Sequence, residues 1–236
     1  MNYLTNYFNS NYIKMSTILE QIAICVENGK LNLTSPYPPH MKDMPGSDEL
    51  TKQALAEGVS PDDILYKALV PAMNMIGQKF TEHKIFVPQM LLSAKAMTAS
   101  MQYLKPFFQS GEVKHKGVFV MGTVLGDLHD IGKNLCCMMV EGAGWKVIDL
   151  GVDVKPEQFI AILDENPNAV IGLSALLTTT MVNMGTIITA VREKHKNTKI
   201  IIGGAPVNMA FAKQINADSY SDDPQGLIGW LDTLVA

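Results

Sequence analysis

The sequence predicts an α/β protein: a five-stranded parallel sheet domain with helices on both faces, preceded by an all-α four-helix bundle. Three observations lead there. Before about residue 110 the apolar spacing is helical and strand signals are scarce. After residue 117 short β-branched runs alternate with helical stretches, and Pro106 to Lys116 is a polar connection between these regimes. The expected boundaries are a variable Asn- and Tyr-rich extension over 1–15, with Met15 an alternative start, a helical bundle over 16–108, a linker over 109–116 and a sheet domain over 117–236.

Each element has a local reason. Ser16 to Glu27 carries Ile18, Leu19, Ile22, Ile24 and Val26, the content of a buried helix. The loop 32–46 follows, and its Ser-Pro-Tyr-Pro-Pro segment cannot continue a helix. It is longer than a bundle needs, and reads as a partner contact or an insertion. Ser47 is expected to cap a helix over Asp48 to Glu57, closed by Gly58. Ser60-Pro61-Asp62-Asp63 opens the next with a cap, a first-turn proline and acids that favour the helix dipole. It runs through Leu65, Leu69, Met73 and Ile76 towards Phe80, and Pro88 starts a fourth helix reaching Leu104. Gly117 to Gly122, Lys146 to Leu150, Ala169 to Ser174, Lys199 to Ile202 and Ala217 to Tyr220 are the expected strands, and Pro224 to Val235 is the last helix. Five such repeats make a flavodoxin-like (Rossmann-like) sheet of order 2-1-3-4-5.

Composition narrows the function classes. A net charge of −4 lacks the basic face that nucleic acid requires, and it suits anionic membranes no better. No window holds the roughly 18 consecutive apolar residues of a membrane span. The amino-terminal residues lack the pattern of a secretory signal. The three cysteines, Cys25, Cys136 and Cys137, are odd in number and two are adjacent, so a reducing, cytoplasmic setting is expected.

The chemistry lies in three pieces: Asp127-Leu128-His129-Asp130-Ile131-Gly132 after the first strand, Ser174-Ala175-Leu176 ending the third, and Gly203-Gly204 ending the fourth. A core histidine, a serine cap and a glycine turn would each explain one piece alone. In an open parallel sheet, however, all three fall on the carboxyl edge at the point where strand order reverses. His129 offers an imidazole nitrogen suited to a transition metal, and Asp127 can accept the hydrogen bond from its other nitrogen. Gly132 permits close backbone approach or a tight turn. Competing readings lack parts. Gly126 to Lys133 has five residues between its glycines and Asn134 where a phosphate-binding loop needs Ser or Thr. The remaining histidines do not complete a two-metal site, and Ser174 stands where a receiver domain needs its aspartate. Cys136-Cys137 lacks the Cys-x-x-Cys spacing of redox or zinc sites.

In this order and spacing the three pieces resemble the cobalamin-binding signature Asp-x-His-x-x-Gly … Ser-x-Leu … Gly-Gly of corrinoid-dependent methyltransferases and mutases. The Pro88-Gln-Met-Leu-Leu-Ser-Ala-Lys-Ala-Met segment resembles the helical hallmark of the same module. Over roughly residues 47–236 the chain is similar to the free-standing corrinoid proteins of anaerobic methyltransferase systems serving methanol, methylamines, methoxylated aromatics or betaines. It is also similar to the cobalamin-binding portion of cobalamin-dependent methionine synthase. The mutases' barrel is absent.

The resemblance implies a cobalamin or related corrinoid, bound base-off with His129 as the lower cobalt ligand and Asp127 and Thr180 as its relay. Gly126, Leu128, Asp130, Ile131, Gly132, Leu176 and Thr178 would surround the corrin, and Ser174, Gly203, Gly204 and Tyr220 the nucleotide tail. Phe80, Val87 and Met90 match positions that cap the methyl-bearing face, although bundle core explains them as well. The implied activity is a methyl carrier cycling between cob(I)alamin and methylcob(III)alamin. It would work only with a substrate-specific methyltransferase and a second methyltransferase using tetrahydrofolate, coenzyme M or homocysteine. A corrinoid-reactivating reductase is a further implied partner. The bundle would swing aside about the 109–116 linker. A cobalamin sensor or regulator and a cobalamin storage protein are the alternatives.

Overall fold

The structure, a computed structural model, describes residues 17–111 and 113–235. The extension over residues 1–15, with its alternative start at Met15, lies outside the described residues. The chain forms two compact units, one of residues up to 114 together with 142–144, the other of 115–141 with the residues from 145 onward.

Among the described residues, four packed helices build the helical unit. Helix α1 (Ile18–Asn28) starts from a capping box: the Thr17 hydroxyl accepts from the Glu20 amide, and the Glu20 carboxylate accepts from the Thr17 amide. Helix α2 (Ser47–Ala56) corrects the expected cap. Gly46 is the N-cap, and Ser47 is the first helical residue. The Ser47 hydroxyl is buried and donates to the Ala96 carbonyl at 2.7 Å. Position 47 therefore ties two helices together instead of capping one.

Helix α3 opens at Pro61–Asp63 with Ser60 as cap, as the sequence predicts, and ends as Val70–Thr81. Between them Ile64–Leu69 is π-helical, with the Val70 amide donating to the Leu65 carbonyl. The cause is Pro71, which has no N–H to continue the ordinary ladder. Helix α4 (Val87–Ser110) continues through Pro106, so the connection begins later than residue 106, and residues 109–110 are helical. Pro106 is exposed, and a carbonyl freed by its missing donor can turn to water.

Ile22, Val26, Leu65, Leu69, Met73, Met90 and Leu104 are fully or almost fully buried in this unit. At about 25 cal/mol per Å² of apolar surface, such side chains are its main source of stability. The loop 32–46 is tied down at its base. The Ser47 and Asp48 amides donate to the Lys30 and Leu31 carbonyls, and the buried Lys30 ammonium donates to the Ser35 carbonyl.

The second unit is the expected sheet. Strands β1 (Val118–Thr123), β2 (Lys146–Asp149), β3 (Val170–Ser174), β4 (Ile200–Gly203) and β5 (Ser219–Ser221) pair in parallel in the order β2-β1-β3-β4-β5. The register aligns Thr123 with Ser174 and Ser174 with Gly203, so three strand ends finish level. Helices α5 (Ile131–Gly142), α6 (Pro156–Glu165), α7 (Thr178–Met181), α8 (Asn183–Lys194), α9 (Met209–Gln214) and α10 (Pro224–Asp232) connect and follow them. Val120, Ile171, Leu173, Phe159, Leu163, Met184 and Ile202 form one buried cluster. A sheet packed this way exposes function only at its edges.

Burial pushes the thiols of Cys25, Cys136 and Cys137 up to about 12. The native state thus favours the neutral thiol. Its stabilisation is complete below the ordinary thiol pKa near 8.5 and is lost as pH rises from there towards 12. A thiol reagent at pH 8 is expected to label the native protein only slowly and to label three thiols after denaturation. Rapid native labelling would count against this packing.

Candidate functional site

The carboxyl edge of the sheet brings together the loop after β1, the end of β3 and the end of β4. Strand order reverses between β1 and β3, and a ligand crevice is expected there. The loop starts at Gly126, whose φ of 81° is the left-handed region that glycine enters without steric cost.

Asp127 is the hub. Its side chain is fully buried, and both oxygens are engaged. The His129 ring Nδ1 lies 2.7 Å from Oδ1, which also accepts from the His129 amide at 3.1 Å. Oδ2 accepts from the Thr180 hydroxyl at 2.6 Å and from the Leu176 amide at 2.8 Å. Burial raises the pKa of this carboxyl, but the hydrogen bonds from Thr180, Leu176 and His129 outweigh it and hold Asp127 well below the usual carboxylate range. An ionised carboxylate only accepts, so Nδ1 carries the hydrogen. In the neutral ring the free lone pair is then on Nε2. The His129 side chain is 51% exposed, so that nitrogen can meet a ligand from outside.

The surroundings suit a large, partly apolar ligand. Leu128 and Ile131 are 71% and 74% exposed, and Leu176 and Leu177 are also exposed. Among the described residues no group of three or more His, Cys, Asp or Glu could hold a bare metal ion. A metal in a macrocycle arrives with most of its ligands, so the single nitrogen of His129 would be enough to hold it. These residues fit a corrin.

Gly132 corrects one expectation. It lies in helix α5 instead of a turn, and nothing stands within 4 Å of where a side chain would begin. Asp130 accepts from the Asn134 side chain at 3.0 Å, and Thr178 is exposed at the start of α7. Ser174 pairs with Gly203 across the sheet, and Tyr220 sits on β5 against the buried cluster. A Cβ on Gly204 would fall 1.9 Å from the Ala175 carbonyl oxygen, and one on Gly203 would fall 2.9 Å from that of Ser221. Close approach of neighbouring backbone thus requires both glycines, whatever else they line. Phe80, Val87 and Met90 belong to the helical unit, Phe80 and Val87 half-buried and Met90 fully buried.

Sequence reasoning missed Thr123, Asn183 and Asp153. The Thr123 hydroxyl donates to the His129 carbonyl at 2.8 Å, and the Asn183 side chain to the Leu125 carbonyl at 2.7 Å. The signal available for Asp153 was its place after β2, the strand beside β1 on the same edge.

A B12 binding domain model matches residues 117–224, and a second B12 binding domain model matches residues 43–105. A corrinoid protein of Desulfitobacterium hafniense is 38% identical over 179 residues, 74% of this chain and 83% of that protein. Dimethylamine corrinoid protein 1 of Methanosarcina acetivorans is 38% identical over 181 residues, 75% of this chain and 85% of that protein. A chain in the methanol:cobalamin methyltransferase complex of Methanosarcina barkeri is similar with a TM-score of 0.77 and 27% identity, covering 92% of this chain and 79% of that one.

Proposed function

The chain belongs to the corrinoid proteins, the B12-binding proteins of methyltransferase systems, and on that footing we propose that it is a methyl carrier. It takes a methyl group from a substrate-specific methyltransferase and passes it to a second methyltransferase, whose acceptor is tetrahydrofolate, coenzyme M or homocysteine. The proposed donor class is a methylated amine or methanol, the compounds named for two of the relatives. The proposed setting is the cytoplasm, in keeping with its unpaired thiols; among the described residues no helix is long and apolar enough to cross a membrane.

Bound cobalamin supplies the cobalt at which the methyl group is held. The chain's residues supply the rest. His129 would hold the cobalt through Nε2, because Asp127 keeps the hydrogen on Nδ1. Thr180 and the Leu176 amide fix Asp127 in turn. Gly126, Leu128, Asp130, Ile131, Gly132, Leu176 and Thr178 are proposed to line the corrin, and Ser174, Gly203, Gly204 and Tyr220 the nucleotide tail. Phe80, Val87 and Met90 are proposed as the apolar cap that keeps water from the reactive face.

The observation that carries this reading is the half-exposed His129 whose second nitrogen is fixed by a buried carboxylate. Protein reconstituted with hydroxocobalamin is expected to show a base-off, His-on spectrum that His129→Ala loses. The reduced, loaded protein is expected to accept a methyl group from iodomethane and release it to a methyltransferase. A His129→Ala protein that kept the His-on spectrum would remove the ligand assignment. Uptake of the methyl group without release would indicate a store.

A further inference from the structure

We propose that Asp153, on the turn after β2, is a positioning residue that presets the His129 loop. The proposal rests on the reading of His129 as the cobalt ligand. It starts from a problem in the loop itself. Asp127 can orient the imidazole only if its own backbone is fixed, and the residue before it is a glycine in a left-handed conformation. Glycine has the largest conformational freedom of any residue, so Gly126 alone cannot hold Asp127 in place.

Asp153 holds it from both sides. The Gly126 amide donates to Asp153 Oδ1 at 2.7 Å, and the Asp153 amide donates to the Asp127 carbonyl at 3.0 Å. One residue on a neighbouring segment thus grips the donor before the hub and the acceptor on it. The segment carrying Asp153 is itself anchored to the end of β1. The Thr123 amide donates to the Gly151 carbonyl, and the Val154 amide to the Thr123 carbonyl, each at 3.0 Å. Val124 and Val154 complete the contact as a parallel bridge.

The choice of residue follows from the geometry. Asp153 has φ of 55°, a left-handed conformation that only Gly, Asn and Asp enter readily. Glycine would keep that backbone but lose the acceptor. Alanine would lose both, and glutamate would strain the backbone and overreach. Asparagine keeps the conformation and an acceptor oxygen, so it is the conservative variant.

The test compares Asp153→Asn, Asp153→Gly and Asp153→Ala with the wild type, with His129→Ala as the reference for a lost ligand. In protein carrying 15N-labelled histidine, loaded with cobalamin and reduced to the cobalt(II) state, an axial imidazole nitrogen splits each cobalt line of the electron paramagnetic resonance spectrum into two, whereas the unlabelled base of cobalamin itself would split it into three. The wild type and Asp153→Asn are expected to show full splitting into two. Asp153→Gly is expected to show a reduced His-on fraction, Asp153→Ala a smaller one, with cobalamin binding weakened by roughly 10–100-fold, as for partners outside the ligand shell. In the cofactor-free protein, the Gly126 amide is expected to exchange with solvent at least about tenfold faster in Asp153→Gly than in wild type.

Melting temperature separates positioning from scaffolding. If the variants melt lower but bind cobalamin with wild-type splitting and affinity, Asp153 is a fold residue only and the proposal is overturned. A variant too unstable to load is judged by Asp153→Asn, whose failure to restore both splitting and Gly126 protection would also overturn it. A wild type without imidazole splitting would overturn the ligand assignment and this proposal together. Splitting in wild type that persists in full in Asp153→Gly would overturn this proposal alone.

Discussion

Asp127→Ala is expected to destabilise the sheet unit by about 3–5 kcal/mol, the range for removing one partner from a buried charged network. At the usual scaling, that lowers its melting temperature by at least about 10 °C. The large effect arises because the substitution orphans several groups at once. The Thr180 hydroxyl, the Leu176 amide, and the His129 amide and ring all donate to this carboxylate, inside the fold or at its margin. Each buried donor left without an acceptor carries its own desolvation penalty. The pH dependence has a defined sign. The folded carboxyl is held below its ordinary range, so its stabilisation is complete above the unfolded aspartate pKa near 3.9 and drains only as pH falls below that. Asp127→Asn is therefore expected to melt lower than wild type at pH 7, with the difference shrinking in acid. Thermal melts at pH 7 and pH 3 check this, and a constant difference would contradict it.

Gly204→Ala is expected to cost about 2–6 kcal/mol, combining overpacking with a backbone conformation that side chains avoid. Its Cβ would stand 1.9 Å from the Ala175 oxygen at a φ of 123°. The obstacle is backbone at the end of the central strand, so no side-chain rotation relieves it. Gly203→Ala meets only the Ser221 oxygen at 2.9 Å and is expected to be milder. Gly229→Ala is the control. Nothing lies within 4 Å of its added methyl in helix α10, and alanine is expected there to be neutral or to stabilise by up to about 1 kcal/mol. Urea unfolding of the three variants should rank them in that order, and a Gly204→Ala protein as stable as the control would refute the packing account.

The sequence was most legible where one physical rule acted locally. Strand and helix alternation after residue 117 led to the sheet and its order, because each parallel strand needs a crossover of its own. The Asp127 and His129 pair was readable because the partners sit two residues apart. Legibility failed where partners came from elsewhere in the chain. Ser47 has the chemistry of a cap, yet its hydroxyl found Ala96, forty-nine residues away. Met90 fits helical spacing whether it caps a cofactor or fills a core, and spacing alone carries no sign of which. Asp153 escaped because nothing in the motif points to the neighbouring turn; the link exists only once β2 lies beside β1.

The carboxylate at position 127 has a mechanical consequence. With both oxygens committed to donors on the loop after β1 and on the segment after β3, it fastens two stretches of chain that are far apart in sequence into one rigid plinth. The imidazole stands on that plinth facing solvent, free of any cage. An exchange of whatever sits on its outer nitrogen then requires only a small tilt of one ring, and the sheet beneath need not move.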